Sequence, residues 1–193
     1  MNSFPLVLAS GSPRRRELLT QLGYTFDIVV SDVEEVRHSD ETPAQYVERL
    51  SRDKARAGMK LVSEGSVVIG SDTIVVKGDT VLEKPHDFAE AKSMLALLSG
   101  DVHQVMTAVT VACGSHYESA VVVTDVWFKT LSDDEIEHYW QTGEPQDKAG
   151  SYGIQGIGGR FVTRIEGSYY AVVGLPLYET DQLIKQITHS KSR

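Results

Sequence analysis

The chain has 193 residues, 41% of them hydrophobic and 24% charged, which suits one globular unit with a buried core and excludes a membrane-spanning or disordered composition. Its formal net charge of −8 argues against a general affinity for nucleic acid or anionic lipid, so any anion it binds must meet a local cluster of cations. Cys113 is the single cysteine, which leaves no internal disulfide and no thiolate metal cluster, and a small buried strand residue is expected there.

The first dozen residues, MNSFPLVLASGS, lack a basic stretch and carry only a short apolar run, so no export signal is expected and a cytoplasmic address follows. Residues 4–9 read as a buried strand, after which Ser12 and Pro13 supply the cap and first turn of a helix to about Leu22, stopped by Gly23. Residues 25–31 read as a second strand ending in the acidic loop Asp32-Val33-Glu34-Glu35. Thr42-Pro43 opens a helix with Tyr46, Val47 and Leu50 on its apolar face and Lys54 a turn further on. Residues 66–77 are rich in β-formers, and Gly78-Asp79 turns the chain into Val81-Leu82-Glu83-Lys84-Pro85. Asp87 and Glu90 form a capping-box pattern before Ala91, Met94, Leu95 and Leu98, with Gly100 closing that helix. Residues 102–113 and 117–129 predict a long antiparallel pair around Gly114-Ser115, and Ser132 with Glu135 caps a helix ended by Gly143. A glycine-dense loop over 150–159 precedes a strand at 160–165, a turn at Glu166-Gly167-Ser168, a further strand, and a last helix from about Leu177. The expected fold is a single α/β domain over residues 1–193, a mixed twisted sheet with flanking helices and two lobes around a deep cleft.

Candidate chemistry begins at Ser10-Gly11-Ser12-Pro13, where Arg14, Arg15 and Arg16 occupy the first turn of a helix. Cations are disfavoured beside the positive end of a helix unless an anion lies between them. Exposed backbone N–H groups and forked guanidinium donors make a phosphate or carboxylate site, with Arg16 the arginine expected to face water. In SVVIGSDTIVVK, Asp72 interrupts a run that otherwise reads as a buried strand, and a buried carboxylate needs a cation, a metal or hydrogen bonds. A kink at Gly70 that leaves Asp72 as a structural cap is the alternative. Glu34 and Glu35 offer further oxygens for a hard cation such as Mg²⁺, and Lys54 and Lys84 are candidate phosphate contacts. Gln155, with donor and acceptor groups, suits a base edge. No Gly-x-Gly-x-x-Gly, Walker-type, Gly-x-Ser-x-Gly or His-Glu-x-x-His pattern occurs, which sets aside the usual dinucleotide, P-loop, serine-hydrolase and zinc motifs. An enzyme acting on an anionic substrate, a phosphosugar or acyl phosphate among the candidates, and an anion-binding regulator without turnover remain open at this level.

In order, Ser10-Gly11-Ser12-Pro13-Arg14-Arg15, Glu35, Lys54, Gly70-Ser71-Asp72-Thr73, Glu83-Lys84-Pro85 and residues 147–156 (DKAGSYGIQG) resemble the Maf family over nearly the whole chain. The resemblance implies a Maf/ITPase-like fold and a nucleoside triphosphate pyrophosphatase that cleaves between the α- and β-phosphates, of the branch acting on dTTP and UTP. It further implies Asp72 as proton acceptor, Arg14, Thr73 and Gln155 at specificity positions, and a divalent cation, Mg²⁺ or Mn²⁺. A homodimer, a cytoplasmic house-cleaning role and an association with arrest of cell division are implied as well. On that reading Glu35 and Asp72 hold the metal, Arg15, Lys54 and Lys84 neutralise phosphate, Ser10 and Ser12 belong to the same anion loop, and Thr73 with Gln155 reads the pyrimidine.

Overall fold

A computed structural model describes residues 4–30 and 32–190. Among these residues seven strands form one mixed sheet: β1 (Leu6–Ala9), β2 (Asp27–Val29), β3 (Val67–Lys77), β4 (Thr80–Leu82), β5 (Val102–Cys113), β6 (His116–Phe128) and β7 (Val162–Glu166). They run in the order β2-β1-β3-β5-β6-β7, with β4 attached to β3. Crossovers through α1 (Pro13–Gln21) and α2 (Pro43–Met59) make β2 and β3 parallel to β1, whereas all later pairings are antiparallel. The remaining helices are α3 (Phe88–Leu98), α4 (Asp133–Gln141), the short α5 (Tyr169–Val173) and α6 (Leu177–Ser190). The α/β mixed sheet with flanking helices is thus the observed architecture. No helix among the described residues is long and apolar enough to cross a membrane.

Local signals act as expected at most helix starts. Ser12 Oγ accepts the Arg15 N–H, and complete capping boxes open α2 (Thr42, Gln45) and α4 (Ser132, Glu135). At α3 only half the box forms: Asp87 accepts the Glu90 N–H at 2.9 Å, while the Glu90 carboxylate turns to the N–H and ring of His86. The second strand is shorter than its apolar pattern, since Thr25 and Phe26 lie outside β2, and Ser31 lies outside the described residues. The late strand begins at Val162 because residues 157–161 close into a 3₁₀ turn.

One expectation is overturned: the segment after Gly167 is a helix, α5, and not a further strand. Ser168 Oγ caps it through the Ala171 N–H at 3.1 Å, and its last carbonyls serve side chains of α1, β3 and β5. These tertiary bonds outweigh the β-propensity of Val172-Val173.

The core divides along the two longest central strands. Val67 and Ile69 of β3, with Val109 and Val111 of β5, pack among α1 and α6, while Val75 and Val105 on the same strand faces pack among α3, α4 and the late loop. The opposite face of the sheet meets α2 through Tyr46, Val47 and Leu50. β3 passes Gly70 without a register shift, so the kink alternative does not apply. Glycine is required there for close approach: a Cβ would lie 2.2 Å from Ser51 O and 2.5 Å from Ala55 N of α2.

Between its two ends, one edge of β3 is left open. β1 pairs only with Val67–Ile69 and β4 only with Val75–Lys77, so among the described residues no strand lies against residues 70–74 on that side. Side chains on both faces of β3 therefore reach one opening, which is the cleft between the two lobes.

Candidate active site

The cleft has a volume of ≈ 930 Å³, and its walls bring together Ser10, Ser12, Arg14, Arg15, Glu35, Lys54, Asp72, Thr73, Lys84 and Gln155. The ten residues expected to bind or process the ligand thus share one cavity, although they come from six separate segments. Glu34 and Arg16 are exposed and do not line it.

On the α2 face of β3, Asp72 is 6% exposed. Lys54, one turn beyond Leu50 on α2, sets its Nζ 2.6 Å from Asp72 Oδ1 and 2.8 Å from Glu35 Oε1. Burial would raise the Glu35 carboxyl, but Lys54, with help from Lys84 and Arg15, holds it below the usual range. Tyr46 OH approaches Glu35 O at 3.2 Å and Glu83 Oε1 at 3.4 Å, tying the acidic loop to the end of β4. Burial and the nearby Asp72 charge push the Glu83 carboxyl upward. Sequence reasoning took Tyr46 as core alone and, although Glu83 stands in the Glu83-Lys84-Pro85 motif, gave it no role of its own.

The other face is neutral apart from one arginine. Arg15 Nε donates to Gly174 O at 2.8 Å and Nη2 to Thr73 Oγ1 at 3.1 Å. Thr107 Oγ1 donates its proton to Ala171 O at 2.6 Å, so at 2.9 Å from Thr73 Oγ1 it can only accept. The Thr73 proton is therefore given to Thr107, and the hydroxyl has none left for a ligand. Thr73 positions Arg15, and towards a ligand its hydroxyl is left to act as an acceptor. Burial lowers the affinity of the Arg15 guanidinium for its proton, opposed chiefly by Asp72.

The other cations divide by what they already hold. Arg14 and Lys84 make no hydrogen bond or ion pair among the described residues, whereas Lys54 is committed to two carboxylates. Ser10 Oγ accepts the Ser12 N–H at 3.2 Å and Ser12 Oγ accepts the Arg15 N–H at 3.4 Å, which leaves both hydroxyl protons free to donate. Lys148 lines the facing wall paired with Asp147, and Gly150 N–H donates to Glu83 O at 3.2 Å, joining the late loop to the segment that carries Lys84. Gln155 is exposed at the wall with its amide uncommitted among the described residues.

Among the described residues no group of three or more His, Cys, Asp or Glu side chains is arranged to hold an ion. Glu35 and Asp72 nevertheless converge on a single cation, the Lys54 ammonium. Two carboxylates supplemented by ligand oxygens and water are a donor set that Mg²⁺ or Mn²⁺ accepts, so these residues fit such an ion.

The fold and cleft define an α/β protein built to hold an anionic ligand against a shielded carboxylate. A family model described as "Maf-like protein" matches residues 5–187, and the chain belongs to that family. It is 73% identical over 179 residues to a dTTP/UTP pyrophosphatase of Vibrio cholerae, covering 93% of this chain and 96% of that one. A dTTP/UTP pyrophosphatase of Salmonella typhimurium is 58% identical over 179 residues, 93% of this chain and 91% of its own. Among solved structures, a HAM1 protein from Coxiella burnetii aligns over 65% of this chain and 73% of that one, at 14% identity and a TM-score of 0.45.

Proposed function

We propose that this protein is a nucleoside triphosphate pyrophosphatase that hydrolyses dTTP and UTP to the nucleoside monophosphate and pyrophosphate. The observation that carries the reading is Asp72, a nearly buried carboxylate held by Lys54 in a cleft whose Arg14 and Lys84 are unspent. The names of the relatives, at up to 73% identity, support the choice of substrates.

Water attack on the α-phosphorus forms one P–O bond and breaks the bond to the oxygen bridging the α- and β-phosphates, with pyrophosphate leaving. Asp72 accepts the proton of the water. Lys54 keeps Glu35 ionised and, bonded to both carboxylates, holds it close to Asp72. Arg14, Lys84 and the free edge of Arg15 take up charge that accumulates on the phosphates, aided by the Ser10 and Ser12 hydroxyls. Gln155 offers the base an N–H donor and a carbonyl acceptor. Glu35 and Asp72 would hold a Mg²⁺ or Mn²⁺ ion, which supplies charge neutralisation at phosphate oxygens and acidifies water. A cytoplasmic homodimer completes the proposal, on the strength of the family resemblance.

The test is phosphorus NMR of the protein with Mg²⁺ and a panel of dTTP, UTP, CTP, dATP and GTP, with Asp72→Asn alongside. Monophosphate plus pyrophosphate from dTTP and UTP is expected, with the variant slowed roughly 10²–10⁴-fold while still binding nucleotide. Inorganic phosphate plus diphosphate would move the attack to the wrong bond, and tight binding without turnover would make the protein a nucleotide sensor.

A further inference from the structure

The loop that carries Gln155 is gripped at both feet by two side chains that lie outside it. Tyr139 OH, on α4, receives the Gly153 N–H at 3.1 Å and gives its own proton to Glu144 Oε1 at 2.6 Å. The same Glu144 oxygen receives the Gly158 N–H at 3.0 Å, and Oε2 receives the Ile157 N–H at 2.8 Å. Ile154, Gln155 and Gly156 span the interval between these two anchors.

The fit is tight enough to fix the loop's path. A Cβ on Gly156 would lie 2.2 Å from Glu144 Oε2, and one on Gly158 would lie 2.5 Å from Tyr139 OH. The base of the clip is rigid: Tyr139 is fully buried, with its ring 4.9 Å from that of Phe161, and the Glu144 N–H is tied to Thr142 Oγ1 at 3.2 Å. Burial favours a protonated Glu144 carboxyl, yet the donated bonds from Tyr139, Gly158 and Ile157 hold it below its ordinary range, so the clip is anionic at neutral pH. An acceptor-only group is what these three donors require, because a carboxamide would turn an NH₂ toward one of them. Gln155, by contrast, has no protein partner to fix its amide among the described residues, so its placement depends on the backbone that carries it.

We propose that Tyr139 and Glu144 are positioning residues for nucleobase selection, acting through the loop to set where the Gln155 amide meets the base. This rests on the pyrophosphatase reading above. A base is discriminated sharply only when its polar edge faces groups that lose their partners with the wrong base, and that demands a fixed amide.

The experiment compares kcat/KM for dTTP and CTP in the wild type, Glu144→Gln, Tyr139→Phe, Gln155→Ala and the Glu144→Gln/Gln155→Ala double variant, with melting temperatures for each. The dTTP-over-CTP ratio is expected to fall roughly tenfold or more in Glu144→Gln and by less in Tyr139→Phe. The double variant should be no less selective than Gln155→Ala alone, since residues acting through one group are not additive. Selectivity that survives in whichever single variant remains folded would overturn the inference, as would a ratio indifferent to Gln155→Ala or losses that multiply in the double variant. Unfolding of both single variants would also overturn it, by giving the pair to stability alone. A wild type that does not cleave dTTP, or does not prefer it to CTP, would instead sink the parent reading, and the inference with it.

Discussion

At the open edge of β3, the two faces of one strand handle charge in opposite ways. On the α2 face, Asp72 and Glu35 place two carboxylates around one ammonium, that of Lys54. That arrangement is short of positive charge and suits a further cation. On the opposite face, Arg15 is held by neutral oxygens alone, those of Gly174 and Thr73. Its positive charge is positioned without being cancelled, and so is kept for an anion. Neighbouring positions in one strand, Asp72 and Thr73, therefore supply the carboxylate and the guanidinium support of the same cleft.

The largest expected effect breaks the ionic side. Lys54→Met leaves Asp72 and Glu35 facing each other without a counter-charge, and should lower kcat by roughly 10²-fold or more, in line with the cost of stripping one partner from a shielded ion pair. If the variant instead loses affinity for a non-hydrolysable dTTP analogue while kcat holds, Lys54 belongs to the phosphates and not to the carboxylates.

A smaller effect sharpens the neutral side, which keeps even a titratable group uncharged. His103 lies on the same face of β5 as Thr107, with Nε2 2.8 Å from Tyr152 OH and Nδ1 unpartnered among the described residues. Burial lowers its pKa from 6.5 to about 4. The unfolded chain takes up that proton near pH 6.5 and the folded protein only near pH 4, so His103 contributes fully above 6.5 and its contribution is lost as the pH falls toward 4. The loss amounts to about 3 kcal/mol at most. Urea melts between pH 7 and 4 should show this slope in the wild type and flatten in His103→Gln; equal slopes would assign the acid lability to carboxylates.

The smallest effect concerns the hydroxyl chain. Thr107→Val removes the acceptor for the Thr73 proton and the donor to Ala171 O, at about 1–3 kcal/mol, and loosens Arg15. KM for dTTP should rise several-fold with kcat little changed. An unaltered KM would mean that Arg15 does not depend on the relay.

How far the sequence reached depends on the range of the interactions involved. The caps at Ser12, Thr42 and Ser132 were legible because each is settled within four residues, and the β5–β6 pair because a turn at Gly114-Ser115 joins its two alternating runs. Asp72 stood out as a charge in an apolar run, and motif order brought the rest of the cleft with it. α5 was misread because its helix is stabilised by the hydrogen bonds that the carbonyls of Ala171 and of its cap Gly174 accept from Arg15, Ser71 and Thr107, none of them close in sequence. Glu144 went unnoticed for a similar reason: an ordinary acidic residue before a proline acquires its task only when Ile157 and Gly158 fold back on it. The open edge of β3 was invisible as well, since it follows from the lengths of β1 and β4 and not from anything in residues 70–74.

That gap between β1 and β4 also bears on misassembly. A strand edge without a neighbour ordinarily invites a second chain to dock and aggregate, and proteins blunt such edges with inward-pointing charges. Here the bare stretch of β3 is recessed within the cleft, with Asp72, Lys54 and Arg15 beside it. An incoming strand would have to leave those charges without water. The groups that fit the cleft for a charged ligand therefore also guard the sheet against its own kind.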